Sequence, residues 1–280
     1  MNMHLVIQGS AVAARDLDQL VELSGARQVL RLGPGACRLI GARRRPGIAE
    51  YCARARLDFG FVPEKRKLTD MKLLAIDMDS TLISIECIDE IADMAGVKAE
   101  VSAITAAAMR GEIDYAESLR LRVGLLQGLD EEALARVYDE RLRLSPGAET
   151  MLAAMQRAGV KTLLVSGGFS FFTERLKTRL GFDYSTANLL DIERGRLTGR
   201  VVGRIVDAEA KAAKLRSVGN EFGITKAGIV AIGDGANDVA MMAEAGVSIA
   251  YRAKAVARGK AEYALDYVGL DGVLNLFAQD

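Results

Sequence analysis

The sequence predicts an α/β fold: a doubly wound, Rossmann-like parallel sheet with an inserted helical cap, preceded by a small α+β domain. Three observations predict it. Short runs that are apolar on both faces alternate with helical stretches, as in parallel sheets covered on both sides. Several of these runs end in acids, glycines and hydroxyls. A long segment of amphipathic helical spacing interrupts the series after the first core strand.

Composition limits the classes of protein to consider. The chain has 280 residues, half of them hydrophobic, which suggests two domains or one domain with an insertion. Lys plus Arg and Asp plus Glu are 37 each, so net charge indicates neither a nucleic-acid nor a membrane partner. Three scattered cysteines indicate a reducing compartment. Because the chain shows no secretion signal and no apolar run of about 18 residues, a cytoplasmic location is expected.

Histidine is almost missing from the chain. The single histidine, His4, cannot by itself build a two-histidine phosphatase or a histidine-rich zinc site. Acid and base chemistry is therefore expected to fall to carboxylates.

Residues 1–68 read as a separate small unit. Apolar runs at 5–8, 28–32 and 36–40 predict strands, and the stretches 14–23 and 48–56 predict helices. The order β-α-β-β-α resembles a ferredoxin-like or ACT-like domain. We expect this domain to serve packing or formation of a homodimer, and binding of a regulatory amino acid is the alternative.

The core, residues 69–280, is organised around its first strand. The apolar run 72–76 ends in Asp77 and Asp79, and ligands of open parallel sheets collect at the carboxyl ends of the strands. Residues two apart on an extended chain point the same way, so both carboxylates can face one ligand. A helix-rich cap follows, inserted at about 84–143.

Two further strands end in candidate site residues. The strand 161–165 leads into Ser166 and Gly167 before a helix, an arrangement that can hold phosphate with a hydroxyl and free amides. Another helix is predicted to open at Ser145-Pro146, and a hairpin is predicted around 193–195. Lys211 falls on an amphipathic helix. The strand 228–232 then precedes three polar residues, Asp234, Asn237 and Asp238.

Convergence of these strand ends would gather four carboxylates. Two unit charges about 4 Å apart repel by roughly 4 kcal/mol at an effective dielectric near 20. Oxygen ligands without histidine indicate a hard divalent cation, Mg²⁺ before Ca²⁺. Asp77 could then attack a phosphoryl group while Asp79 exchanges the proton, and Lys211, Ser166 and the Gly167 amide would share the charge of the equatorial oxygens.

Four motifs in this order resemble those of the haloacid dehalogenase superfamily: Asp77-Met78-Asp79-Ser80-Thr81, Ser166-Gly167, Lys211, and Gly233-Asp234-Gly235-Ala236-Asn237-Asp238. The resemblance implies that Asp77 is the nucleophile and Asp79 the general acid and base. It also implies that Mg²⁺ is held by Asp77, by Asp79 through its carbonyl, and by Asp234. Asp238 would lie beside these ligands.

Within that superfamily, the sequence most resembles the family that hydrolyses O-phosphoserine. The likeness rests on Glu86-x-Ile88-Asp89-Glu90 after the first motif and on Ser118-Leu119-Arg120-x-Arg122-Val123 in the cap. It implies that Glu86 binds the ammonium of the substrate, Arg122 its carboxylate and Asn237 its phosphate. An arginine fork suits a carboxylate because it donates two parallel hydrogen bonds. Met109 and Tyr115 are expected either to line the cap or to pack in its core.

The expected activity is Mg²⁺-dependent hydrolysis of O-phosphoserine to serine and phosphate through an aspartyl-phosphate, the last step of serine biosynthesis. Two alternatives stay open. The same chemistry could act on another small phosphomonoester, or transfer the phosphoryl group to a different alcohol. The chain could instead be a noncatalytic amino-acid sensor built on its N-terminal domain.

Overall fold

The computed structural model describes residues 3–278, and its first sheet lies in the N-terminal region. The four strands are β1 (Met3–Gln8), β2 (Gln28–Gly33), β3 (Ala36–Ile40) and β4 (Asp58–Pro63). They pair antiparallel in the order β2-β3-β1-β4. The helices α1 (Ala14–Ser24) and α2 (Ile48–Ala55) share an apolar core with one face of this sheet.

Strand β4 is missing from the order predicted from the sequence, so that prediction was incomplete. The strand contains Asp58, Gly60 and Pro63, residue types that disfavour strands. It nevertheless pairs with β1 over its whole length. Pairing with a neighbouring strand thus outweighs a poor local propensity.

The second sheet forms the core and has seven strands. They are β5 (Leu73–Asp77), β6 (Lys161–Phe169), β7 (Tyr184–Glu193), β8 (Arg196–Val202), β9 (Ile229–Gly233), β10 (Val247–Tyr251) and β11 (Tyr263–Leu265). Their order is β11-β10-β9-β5-β6-β7-β8, parallel except for the β7-β8 hairpin. The α/β fold class is confirmed, and the predicted hairpin extends the sheet at one edge.

Helices fill the insertion after β5 and flank the core sheet. The inserted helices are α3 (Cys87–Ala95), α4 (Lys98–Met109), α5 (Tyr115–Gly124) and α6 (Glu132–Arg136). A bridge between Ile83 and Leu144 brings the two ends of this insertion together. The core helices are α7 (Ala148–Arg157), α8 (Ser170–Leu180), α9 (Ala208–Glu221), α10 (Val239–Ala243) and α11 (Ala255–Arg258).

Two predicted boundaries were wrong. Helix α7 does not open at Ser145-Pro146 but at Ala148, because Gly147 adopts a left-handed φ of 76° just before it. Strand β6 does not stop at residue 165. Its register breaks there and pairing resumes between Phe169 and Asn188, so helix α8 starts at Ser170.

The N-terminal sheet is joined to the core through the end of the chain. The Asp58 carboxylate accepts backbone N–H bonds from Asp266 (2.8 Å), Tyr267 (2.9 Å) and Val268 (3.1 Å). The buried Arg38 guanidinium donates to the carbonyls of Asn275 (2.8 Å) and Phe277. Buried side chains of the N-terminal sheet therefore bind the segment that follows β11, and a domain boundary at residue 68 stays a prediction.

The state of the cysteines and the character of the helices can be compared with what composition predicted. Cys37, Cys52 and Cys87 are buried and form no disulfide. Across residues 3–278, none of the helices combines the length and the apolar character needed to cross a membrane.

Candidate active site

The carboxyl end of β5 opens into a cleft between the cap and the core sheet. Asp77 ends the strand and is only 3% exposed. The chain then turns through Met78–Leu82, where Ser80 has a positive φ of 56° and its N–H donates to the Ile85 carbonyl. This tight turn directs Asp77 and Asp79 to the same cleft.

The cleft has a volume of about 900 Å³ and brings together the residues predicted from distant parts of the sequence. Its walls include Asp77, Asp79, Glu86, Arg122, Gly167, Asp234 and Asn237. Ser166, Lys211 and Asp238 are buried at the base of the cleft, where Ser166 donates a hydrogen bond to Asp79 and Lys211 donates to both Asp77 and Asp238. All the predicted site residues therefore lie in or directly beneath one cavity.

Lys211 is a wholly buried cation beneath the cleft. Its ammonium, on helix α9, donates to Asp77 Oδ1 at 2.6 Å and to Asp238 Oδ1 at 2.8 Å. Burial alone would lower the pKa of Lys211, but the carboxylates of Asp238 and Asp77 raise that pKa above its ordinary value. The lysine therefore stays charged and fixes the orientation of Asp77.

Each carboxylate oxygen of Asp79 accepts one hydrogen bond. Its Oδ1 accepts the backbone N–H of Cys87 at 2.9 Å, where the first cap helix begins. Its Oδ2 accepts the Ser166 hydroxyl at 3.3 Å. Burial raises the pKa of the Asp79 carboxyl, although both hydrogen bonds oppose that shift. A raised pKa suits a carboxyl group that must give and take a proton near neutral pH.

Three buried acids form a candidate cation site. Carboxylate oxygens of Asp77, Asp234 and Asp238 lie within 4.8 Å of one another. Burial raises the pKa of Asp77 and takes the pKa of Asp234 to about 6. With Asp79, four carboxylates face the buried Lys211, so negative charge is in excess. Such an oxygen-only set fits a hard divalent cation.

The cap contributes two acids, Glu86 and Asp89, and the cation Arg122 to the cleft wall. Glu86 precedes α3, accepts the Ser80 hydroxyl at 2.7 Å, and has a pKa raised to about 7 by burial and by the charge of Asp79. Arg122, on α5, donates from Nε to the Ser118 carbonyl at 3.3 Å. No carboxylate of residues 3–278 forms an ion pair with Arg122, so its guanidinium is available to an anion.

The sequence did not predict one cation at the cleft, Lys254. It also did not decide whether Met109 and Tyr115 line the cap or pack in its core. Lys254 lines the cleft with its ammonium 3.5 Å from Asp234 Oδ2, and no motif marks it. Met109 and Tyr115 were expected to line the cap or to pack, and both line the cleft. The Tyr115 hydroxyl also reaches the core, where it donates to the Gly167 carbonyl at 2.9 Å.

Comparison with known proteins agrees with this fold and defines the class of protein. The family model of the haloacid dehalogenase-like hydrolases matches residues 74–243. A second model, for a domain of unknown function (DUF4072), matches residues 5–48. A whole-chain match is the crystal structure of a HAD family hydrolase from Salmonella enterica serovar Typhi, with a TM-score of 0.91, 30% identity and 99% coverage of both chains. The chain is thus a hydrolase of the haloacid dehalogenase superfamily.

Relatives with higher sequence identity show which family of this superfamily the chain belongs to. Phosphoserine phosphatase of Albidiferax ferrireducens is 53% identical over 223 residues, which are 78% of this chain and 94% of the relative. A structure described as a phospho-aspartyl intermediate analogue of phosphoserine phosphatase has a TM-score of 0.70 and 38% identity, covering 74% of this chain and 99% of the other. The chain belongs to the phosphoserine phosphatase family.

Proposed function

We propose that this chain hydrolyses O-phosphoserine to serine and phosphate through an aspartyl-phosphate on Asp77, as the final step of serine biosynthesis. The proposal rests on one observation: the core and the cap line the same cleft with different charged groups. The core wall presents Asp77 and Asp79, and the cap wall presents the anion Glu86 and the cation Arg122. An amino-acid phosphate has matching groups: a phosphate, an ammonium and a carboxylate.

Two proton transfers by Asp79 complete the reaction. The Asp77 carboxylate attacks phosphorus, the bond from phosphorus to the serine oxygen breaks, and Asp79 gives that oxygen its proton. Asp79 then takes a proton from the water that attacks the acyl phosphate. Phosphate leaves, and both carboxyl groups return to their starting state. The raised pKa of Asp79 supports this double role.

Groups around Asp77 would bind the phosphate oxygens. The backbone at Gly167 and the side chain of Asn237 line the cleft, and Ser166 lies against Asp79. Lys211 would hold Asp77 in position and offset negative charge that builds on the phosphoryl oxygens. Ser166 and Lys211 can act strongly because both side chains are buried away from water at the base of the cleft.

We infer that the cation is Mg²⁺, held by Asp77 and Asp234 and by the main-chain carbonyl of Asp79, with Asp238 beside them. The close buried acids support this assignment. When bound, Mg²⁺ would polarise the phosphoryl group and offset the charge of the acids. Asp238 is also bonded to Lys211 and to the backbone N–H groups of Asp234 and Gly235, which suits a supporting position.

Phosphate release from a panel of substrates tests the function. The panel contains O-phosphoserine, O-phosphothreonine and p-nitrophenyl phosphate, each with Mg²⁺ and with a chelator. We expect O-phosphoserine to give the highest kcat/KM, and both the chelator and Asp77→Asn to abolish turnover. Full activity of Asp77→Asn would exclude the covalent route. Phosphate appearing on an added alcohol such as homoserine would instead favour transfer over hydrolysis.

A further inference from the structure

The hydroxyl of Tyr115 connects the cap to Asp79 through a series of hydrogen bonds. Tyr115, the first residue of α5, donates to the Gly167 carbonyl at 2.9 Å. The N–H of the same peptide unit, on Gly168, donates to Ser166 Oγ at 2.8 Å. That hydroxyl in turn donates to Asp79 Oδ2 at 3.3 Å. One peptide unit and one hydroxyl thus join the cap to the proposed acid and base.

Two glycines make this approach possible. A Cβ atom on Gly167 would lie 2.3 Å from the Tyr115 hydroxyl oxygen, and one on Gly168 would lie 2.5 Å from Asp79 Oδ2. Both distances are far below any real contact of a Cβ atom. The backbone at these positions therefore has to be glycine for the tyrosine and the aspartate to reach the same peptide unit.

The core holds the Gly167 carbonyl from the other side. Asn188 Nδ2 donates to that carbonyl at 2.7 Å, and Asn188 Oδ1 is fixed by the Val206 N–H at 2.8 Å. Of the two donors to the carbonyl, Asn188 belongs to the core sheet and Tyr115 to the cap. Movement of the cap away from the core would remove the tyrosine and leave the asparagine.

Hydrogen bonds in series polarise one another, so the loss of the first weakens those that follow. Asp79 has a second link to the cap, since its Oδ1 accepts the N–H of Cys87 at the start of α3. The carboxyl group is therefore oriented from two points of the cap: directly by Cys87, eight residues further along the chain, and indirectly by Tyr115 through the peptide between Gly167 and Gly168.

We propose that Tyr115 is a positioning residue that couples closure of the cap to alignment of Asp79, through the peptide unit between Gly167 and Gly168 and the hydroxyl of Ser166. The proposal rests on the proposed function only in the role it gives Asp79. Tyr115 acts here through the core peptide and not through a contact with the amino-acid part of the substrate. Any phosphomonoester that the enzyme accepts should therefore feel its loss.

Tyr115→Phe removes only the hydroxyl and tests the proposal. A net hydrogen bond corresponds to about a three- to tenfold effect on rate, so we expect kcat to fall by that factor with KM changed by less than about twofold. The loss should be the same for O-phosphoserine and p-nitrophenyl phosphate. Hydrogen–deuterium exchange of the backbone amides in the proteolytic fragment that contains Gly167 and Gly168 should also become faster.

Tyr138→Phe is the matched control, because Tyr138 is a partly buried cap tyrosine that has no side-chain hydrogen bond among the described residues. We expect it to change neither kcat nor exchange. An unchanged kcat for Tyr115→Phe overturns the proposal, whether or not the melting temperature falls. A rise in KM confined to O-phosphoserine also overturns it, in favour of substrate contact.

The measurement is independent of the substrate assignment. If the wild-type enzyme prefers a phosphomonoester other than O-phosphoserine, the proposed function fails, and the comparison of Tyr115→Phe with Tyr138→Phe on p-nitrophenyl phosphate still decides whether the tyrosine positions the site. If phosphoserine is hydrolysed and Tyr115→Phe behaves as wild type, only the coupling fails.

Discussion

The ammonium of Lys211 lies 2.6 Å from Asp77 Oδ1, and both side chains are at most 5% exposed. The two residues are 134 positions apart in the chain. Removing one partner of a buried ion pair leaves an uncompensated charge, which costs far more than the pair contributes. Lys211 is therefore both a site residue and a requirement for keeping Asp77 and Asp238 together.

Lys211→Met tests this double role. Because Asp77 and Asp238 would lose their shared cation, we expect the free energy of unfolding to fall by about 3 to 5 kcal/mol and turnover to be lost. Urea denaturation measures the first effect and phosphate release the second. Lys214→Met, on the same helix and only partly buried, is the control and should change stability by less than about 1 kcal/mol. Equal stability of the two variants would contradict the prediction.

Arg122→Ala tests recognition of the substrate carboxylate. A hydrogen bond to a charged group contributes about 1.5 to 3 kcal/mol, so kcat/KM for O-phosphoserine should fall roughly ten- to a hundredfold. p-Nitrophenyl phosphate has no carboxylate, and its hydrolysis should be unaffected. Arg120→Ala is the control, since Arg120 is exposed on the same helix and does not line the cleft. Equal losses on both substrates would remove Arg122 from carboxylate binding.

The acids of the cleft predict an unusual pH dependence of stability without metal. Burial raises the pKa of Asp77, Asp79 and Asp234, and takes the pKa of Glu86 to about 7 from an ordinary value of 4.5. The folded chain thus binds more protons than the unfolded chain between about pH 4 and pH 7. The free energy of unfolding of the metal-free protein should therefore fall as pH rises through that interval.

Mg²⁺ should reverse this trend, because the cation and protons compete for the same carboxylates. We expect Mg²⁺ to raise the melting temperature clearly at about pH 8 and little at about pH 5. Thermal unfolding at both pH values, with Mg²⁺ and with a chelator, measures the difference. Equal stabilisation at both pH values would indicate that the cation does not bind these acids.

Asp58→Ala tests the link between the N-terminal sheet and the core. The substitution would leave the N–H groups of residues 266, 267 and 268 without their acceptor, and we expect a loss of about 2 to 4 kcal/mol in the free energy of unfolding. Asp18→Ala, an exposed position in the same region, should have almost no effect. A single unfolding transition with a lower midpoint would indicate that the N-terminal sheet and the core unfold together. An unchanged free energy of unfolding would show that the Asp58 contact does not stabilise the protein.

Much of the fold could be predicted because its signals are local. The run that became β5 is apolar at every position before Asp77, and the buried residues of the first cap helix, α3, recur at helical spacing on one face. Strand β4 could not be found in this way, since Asp58, Gly60 and Pro63 locally oppose a strand and only pairing with β1 stabilises it. The start of α7 likewise depends on Gly147 rather than on the proline before it.

The site residues likewise fall into those that local sequence marks and those that only the packing reveals. Asp77, Asp79 and Asp234 are marked by their position after apolar strands, a pattern that the order of residues alone contains. Lys211 has no such mark, because a lysine on an amphipathic helix is usually exposed, and only the packing of α9 against the sheet buries it between two acids.

The sequence by itself determined the fold class, the acids that gather at the strand ends and the phosphatase chemistry they suit, because local periodicity and motif spacing are properties of the chain's order. Only the tertiary structure decided which hydrogen bonds connect these groups. The reach of Tyr115 across the cleft to Gly167, and from there to Asp79, depends on distances between segments far apart in the chain, and no local pattern contains those distances.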